Sequence, residues 1–194
     1  MDASLSENIP LEGNVSLRPV APGDAGAVFA MVERNFDHLR TFMEWAKPDY
    51  SLKDAEDWVG RAVQAEQDGN AVNFVILRGD AVIGTIGFAY FDHDAKGTEI
   101  GYWIDRNEQG NGIVTQACRH LLELAFRCLG MNRVQIRCAG ANVRSAAIPE
   151  RLRFTKEGVQ RQHVMRDGKF YDFLIYGLLK DEWEGFDAVQ RVAS

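Results

Sequence analysis

The chain has 194 residues, of which 46% are hydrophobic and 26% charged, and its formal net charge is −6. These values are typical of one folded domain and exclude a disordered, collagen-like or disulfide-dense chain. The acidic balance disfavours nucleic acid as a partner, because phosphates need a basic protein face, and it favours basic or amine-bearing partners.

The ends and the cysteines of the sequence favour a cytoplasmic protein. The N-terminal stretch is acidic and polar, unlike a signal peptide, and no apolar run approaches the length of a membrane span. Cys118, Cys128 and Cys138 are odd in number and lack C-x-x-C spacing, so we expect neither a disulfide framework nor a metal site. We expect a single domain with mobile ends at residues 1–13 and 184–194.

The first part of the chain predicts one strand followed by helices. Asp24 is a plausible N-cap for the first helix, and Ser51 with Asp54 resembles the capping box of the last one. The pattern predicts a strand at 14–20 and helices at 28–35, 37–45 and 54–66.

The second part alternates between extended and helical patterns. Three extended runs separated by turns predict an antiparallel meander, and apolar residues at helical spacing then run from Ile113 to Leu129, ending at Gly130. A strand and a short helix around Pro149 follow. The last two extended runs meet near Asp167 and Gly168. The predicted strands of this part are at 72–78, 81–91, 98–104 and 133–138, and the order of elements predicts a mixed α/β fold.

A glycine-containing turn joins the strand at 98–104 to the long helix. Free N–H groups and the helix dipole meet at such a turn, so it can hold a pyrophosphate, although a plain helix start would have the same glycines. A Walker loop is excluded because Ile113 and Val114 follow Gly112 in place of Lys and Ser or Thr. A Rossmann fingerprint is disfavoured because Thr115 stands at the third glycine and antiparallel strands come before.

Gln109, Gly112 and Val114 in this turn resemble the Q/R-x-x-G-x-G/A pattern of the GNAT acetyltransferases, with valine where Gly or Ala is usual. The strings EIGYWIDRNEQGNGIVTQACRHLLELAF, LGMNRVQIRCAGANVRSA, FTKEGVQR and DFLIYGLL are similar to the RimJ/RimL branch, the ribosomal-protein N-acetyltransferases. The likeness covers residues 15–183. It implies the α/β GNAT fold, with a mixed, mostly antiparallel central sheet and helices on both faces.

The resemblance also implies an enzyme that moves an acetyl group from acetyl-CoA to a primary amine, here the N-terminal α-amine of a protein such as a ribosomal protein. Two alternatives stay open. One is an acetyltransferase for a small amine such as a polyamine, an amino acid or an antibiotic, and the other is a CoA-binding regulator without turnover. The sequence leaves open whether the chain forms a homo-oligomer and whether acetyl is preferred over longer acyl groups.

The implied CoA site combines the backbone amides of residues 109–114, which would hold the pyrophosphate, with an opened strand edge at 100–104, which would receive the pantetheine. Trp45 and Tyr102 are further interpreted as core residues that can line an acceptor pocket. The cofactor-binding residues implied by the resemblance are Ile100, Tyr102, Trp103, Ile104, Gln109, Gly110, Asn111, Gly112, Ile113, Val114, Thr115 and Asn142.

Two residues are the implied catalytic groups. Glu99 stands where GNAT enzymes commonly carry a glutamate that takes the amine proton, although an ordinary strand carboxylate would look the same. Ser145 would donate to the leaving sulfur, although it can equally be a first-turn helix residue. His163 is a second candidate base. The tyrosine acid of many GNATs is missing, because Pro149 stands at its position.

Overall fold

The computed structural model describes residues 8–166 and 168–185. In this part of the chain, eight strands form one sheet in the order β1-β2-β3-β4-β5-β6-β8-β7, and only the β5–β6 pair is parallel. The predicted mixed, mostly antiparallel sheet is therefore confirmed. The strands are β1 Ile9–Leu11, β2 Val15–Pro19, β3 Val72–Arg78, β4 Ala81–Asp92, β5 Gly97–Ile104, β6 Arg133–Ala139, β7 Thr155–Arg166 and β8 Lys169–Leu179.

Helices cover both faces of the sheet, as predicted. The strands alternate their side chains between two hydrophobic clusters. In β3, Phe74 and Ile76 pack in the cluster that contains α4, whereas Val75 packs in the one that contains α1 and α3. The helices are α1 Ala25–Arg34, α2 Phe36–Leu39, α3 Leu52–Gln67, α4 Ile113–Glu123 and α5 Val143–Arg151, and a π-helical turn at Leu124–Cys128 extends α4.

None of the helices in residues 8–166 and 168–185 has the length and apolarity that crossing a membrane requires.

The predicted capping box at the start of α3 is present. The Ser51 side chain accepts from the Asp54 N–H, and the Asp54 carboxylate accepts from the Ser51 N–H. Gly130, with φ of 64°, follows the long helix as predicted. Asp167, at the predicted hairpin turn, lies outside the described residues.

Part of the N-terminal stretch that precedes the first predicted strand forms a short strand of its own. The stretch expected to be mobile contains β1, whose Ile9 pairs with Leu17 of β2. Ile9 and Leu11 are partly buried against the core, which explains the pairing. Residues 1–7 and 186–194 of the two expected mobile ends lie outside the described residues.

One prediction about the first helices is confirmed in position and another is wrong. Asp24 is the N-cap residue of α1, as predicted, but its carboxylate makes no capping hydrogen bond to that helix and instead accepts from Arg18 at 2.6 Å and from the Ala21 N–H at 2.7 Å. The helix predicted over 37–45 ends at Leu39 as α2, and turns follow. The ring of Trp45 instead packs against that of Trp103 at 5.6 Å, a tertiary contact that helical spacing does not reveal.

The parallel strands β5 and β6 separate soon after they begin to pair. They are in register only where residues 97–99 face residues 133–135. Beyond that point β5 stays paired with β4 as far as Ile104, and β6 stays paired with β8 as far as Ala139. The edge of β5 beside residues 100–104 is therefore open, as the family resemblance implies.

Candidate active site

The open edge of β5 leads into a cavity of about 560 Å³. The cavity lies between that strand, the glycine turn, α5 and residues 38–43 at the end of α2 and in the turns after it, here called the α2 segment. The structure brings most of the predicted site residues to this one cavity. Those that line it are Tyr102, Trp103, Ile104, Gln109, Gly110, Gly112, Ile113, Val114, Thr115, Asn142 and Ser145. Two predicted binding residues do not line it. Ile100 is 1% exposed in the core, and Asn111 is exposed, with its amide donating to the Glu108 carbonyl.

The glycine turn has the geometry of an anion site. Gly110 and Gly112 have φ of 84° and 75°, a conformation that side chains disfavour. Gly112 is the N-cap of α4 and has no side chain to cap the helix, so the first-turn N–H groups remain available to a ligand. Val114 packs in the hydrophobic core, so the valine at this family position can be accommodated beside the turn.

Tyr102 and Ser145 form a hydrogen-bonded pair in the lining of the cavity. The Ser145 hydroxyl donates to the Tyr102 oxygen at 3.2 Å, and the Tyr102 hydroxyl donates to the Ser145 carbonyl, also at 3.2 Å. That carbonyl is available because Pro149, four residues on in α5, has no N–H to donate to it. The proline that replaces the family tyrosine thus permits a different tyrosine to reach Ser145.

The groups around Ser145 are proton donors at neutral pH. Burial raises the pKa of the Tyr102 hydroxyl well above its usual value. Burial also raises the pKa of the Cys138 thiol to about 11, against a smaller opposing effect of its hydrogen bond with Ser145. Asn142 accepts from the Ser145 N–H at 3.1 Å and caps α5, which orients the serine at the first turn. The site can therefore donate hydrogen bonds to a developing anion such as a thiolate.

A chain of side chains connects α2, the glycine turn and α5. His38 Nε2 lies 2.6 Å from Gln109 Nε2, and Arg144 donates to the Gln109 Oε1. Burial, followed by the positive charges of Arg106 and Arg144, lowers the pKa of His38, so that its ring is neutral and accepts from Gln109. Sequence analysis did not single out His38. The available signal was its place in the predicted helix at 37–45, which also contains Trp45, a predicted acceptor-pocket residue.

The two predicted bases lie elsewhere. The Glu99 carboxylate accepts from Arg137 Nε at 2.9 Å and from Gln135 Nε2 at 3.2 Å, and it is not among the residues that line the cavity. His163 is exposed on β7, where its ring packs 5.1 Å from that of Phe173. The described residues also contain no cluster of His, Cys, Asp and Glu side chains that could hold a metal ion.

Glu99→Gln is expected to leave the pH dependence of kcat/KM unchanged, because its carboxylate is paired with Arg137 outside the cavity. An essential base would make kcat/KM fall below its own pKa, and its amide variant would lose that limb. Profiles of both proteins between pH 6 and 9, spanning about the range of amine and histidine titration, measure this directly. A low-pH limb that disappears in Glu99→Gln would restore Glu99 as the base.

Residues 14–155 match the family model described as an acetyltransferase (GNAT) domain. The chain belongs to the GNAT acetyltransferase family. It is thus an acetyl-CoA-dependent N-acetyltransferase, as the motif around Gln109 and Gly112 implies. The predicted GNAT fold is likewise confirmed.

Three proteins that are similar to this GNAT chain match nearly its full length. It is 33% identical over 173 residues to the N-acetyltransferase homologue YdaF of Bacillus subtilis, covering 89% of this chain and 94% of the relative. It is 28% identical to the ribosomal-protein-serine acetyltransferase of Escherichia coli, covering 91% and 99%. The ribosomal-protein alpha-N-acetyltransferase RimL, solved with coenzyme A as a disulfide to one of its cysteines, matches with a TM-score of 0.85 and 27% identity, covering 91% and 99%.

Proposed function

We propose that this GNAT enzyme acetylates the N-terminal α-amine of a protein, with ribosomal proteins in the cytoplasm as the acceptor class. The observation that carries the proposal is a single cavity that connects the glycine turn, Ser145 and the α2 segment. A relative that covers nearly the whole chain is named as an acetyltransferase for a serine of ribosomal proteins. One cavity can thus hold the acyl donor and open toward an acceptor.

The residues present fit CoA. Its diphosphate would accept from the free N–H groups of residues 110–114, where the positive end of the α4 dipole also lies. Its pantetheine amides would pair with the open edge of β5 in the manner of an added strand. The thiol end would then lie near Ser145 and Cys138, whose side chains are close enough to influence each other. In the RimL structure, coenzyme A is joined through its sulfur to a cysteine of that protein.

The reaction requires an amine, an acyl carbon and a route for the departing sulfur. The amine lone pair forms the C–N bond to the thioester carbonyl carbon, the C–S bond breaks with its electron pair leaving on sulfur, and the amine loses a proton. The Ser145 hydroxyl has one proton, which it donates to the Tyr102 oxygen in this structure. It would turn that proton toward the departing sulfur, and the Tyr102 hydroxyl could then donate to the Ser145 oxygen instead. Asn142 does not restrain this rotation, because it accepts from the Ser145 backbone N–H rather than from the hydroxyl.

The choice of acceptor follows from how little base assistance the cavity offers. Among the described residues that line the cavity, Glu108 is the one with a carboxylate side chain. Arg78 donates to both oxygens of that carboxylate. His38 is neutral but already accepts from Gln109. Deprotonating an α-amine at neutral pH costs about 3 to 4 kcal/mol less than deprotonating a lysine side chain. An acceptor that reaches the cavity already neutral needs no strong base.

A peptide with a free N-terminal serine and one internal lysine is expected to be acetylated at the N-terminus, in preference to the lysine. The test incubates this peptide with the protein and acetyl-CoA and locates the acetyl group by tandem mass spectrometry. The matched control is the same peptide with its N-terminus blocked, which should remain unmodified. Acetyl groups mainly on the lysine would contradict the proposal. Turnover of spermidine or free amino acids without turnover of the peptide would favour a small-amine acceptor instead.

A further inference from the structure

Three arginines line the cavity beside the glycine turn, namely Arg119 of α4 and Arg144 and Arg151 of α5. None of them has a carboxylate partner among the described residues. In the same part of the chain, many arginines do pair with Asp or Glu: Arg18, Arg34, Arg78, Arg127, Arg133, Arg137, Arg153 and Arg166. Three unpaired cations at one cavity of a protein with a net charge of −6 indicate an anionic ligand.

Arg119 provides the most direct indication. Its Nε is buried and has no hydrogen-bond partner among the described residues. A buried charged donor without a partner costs free energy, which a ligand acceptor would recover. The side chain of Arg151, which extends from α5, also reaches α4. Its Nη1 is 3.4 Å from the hydroxyl of Thr115 in the first turn of that helix. The two guanidinium groups therefore flank the part of α4 that follows the glycine turn.

Arg119 begins farther along α4 than the turn itself, since it is seven residues beyond Gly112, which corresponds to about 10 Å along the helix axis between the two backbone positions. Arg151 contacts Thr115, which lies between Gly112 and Arg119 along the helix. A diphosphate bound at the turn would leave Arg119, with Arg151 beside it, for a second anion one sugar unit away. Arg144, which contacts Gln109, lies at the turn side of the group. In CoA the next anionic group beyond the diphosphate is the 3′-phosphate of its ribose.

We propose that Arg119 and Arg151, assisted by the charge of Arg144, bind the ribose 3′-phosphate of CoA and thereby select CoA over 3′-dephospho-CoA. The proposal rests on the proposed use of acetyl-CoA and adds a residue-level basis for its selection. Guanidinium groups suit this role because they remain charged and donate paired hydrogen bonds to phosphate oxygens. The backbone amides of the turn cannot make this distinction, since both ligands carry the same diphosphate.

Isothermal titration with CoA and with 3′-dephospho-CoA tests the proposal. The parent protein should bind CoA at least about tenfold more tightly, and Arg119→Met and Arg151→Met should each reduce CoA affinity about tenfold while leaving the affinity for 3′-dephospho-CoA unchanged. Methionine keeps an apolar stem in place of the arginine methylenes. Arg61→Met on the exposed surface of α3, which also removes one positive charge, is the matched control and should change neither affinity.

Each outcome of these titrations decides a specific point. Equal affinity of the parent protein for both ligands would overturn the phosphate subsite and leave the use of CoA intact. Equal losses for both ligands in Arg119→Met and Arg151→Met would also overturn it, because the arginines would then only support the helices or the diphosphate. Failure of the parent protein to bind either ligand would overturn the proposed function as well. If one variant does not fold, the parent comparison and the other variant still decide.

Discussion

Replacing Ser145 with alanine is expected to lower kcat about a hundredfold, because the variant loses the hydroxyl that donates to the departing sulfur. The affinity for CoA should remain close to that of the parent protein. The N-cap of α5 is retained, since Asn142 accepts from the Ser145 backbone N–H rather than from its hydroxyl. Steady-state release of free thiol measures kcat, and titration with CoA measures binding.

Tyr102→Phe is the companion variant for this experiment. It removes the hydroxyl that contacts both the Ser145 side chain and its carbonyl while keeping the ring, so kcat should fall less than in Ser145→Ala. Combining the two substitutions should give less than the sum of their separate effects, because they act through one contact. An unchanged kcat in Ser145→Ala would remove the serine from the mechanism and leave expulsion of the sulfur to solvent.

Gly112→Glu is expected to weaken CoA binding about a hundredfold or more, the largest effect on affinity that we anticipate. Two causes act together. The backbone at Gly112 has φ of 75°, which a residue with a Cβ adopts only with strain. The new carboxylate would also stand at the helix start where phosphate groups bind, and like charges repel there. Titration with CoA, supported by a thermal unfolding curve, measures the change.

Gly69→Glu is the matched control for this substitution. Gly69 has φ of 70° and open space where a Cβ would stand, as Gly112 has, but it follows α3 away from the cavity. Both variants therefore introduce the same strain and the same charge. Gly69→Glu should lose stability without losing affinity for CoA. Equal CoA affinities in folded Gly112→Glu and the parent protein would show that the diphosphate binds elsewhere.

The sequence by itself determined most of the fold and the family of this protein. Strands and helices with strong periodicity were predicted closely, as β3 at 72–78 and α4 from Ile113 show. Local chemistry also sufficed for the capping box at Ser51 and for the glycine turn before α4, because each depends on residues a few positions apart. The GNAT assignment followed from an ordered series of such local motifs.

Contacts between distant segments were decided only by the tertiary structure. The sheet register and the surrounding side chains turn the Glu99 carboxylate to Arg137, although its position beside the motif suggests a base. Tyr102 reaches Ser145, 43 residues away, because β5 opens from β6 and Pro149 leaves a helix carbonyl free. The arginines of α4 and α5 line one cavity because those two helices, which are separate in the sequence, pack beside it. Periodicity reports which face a residue occupies, whereas the partner on that face depends on how the elements pack.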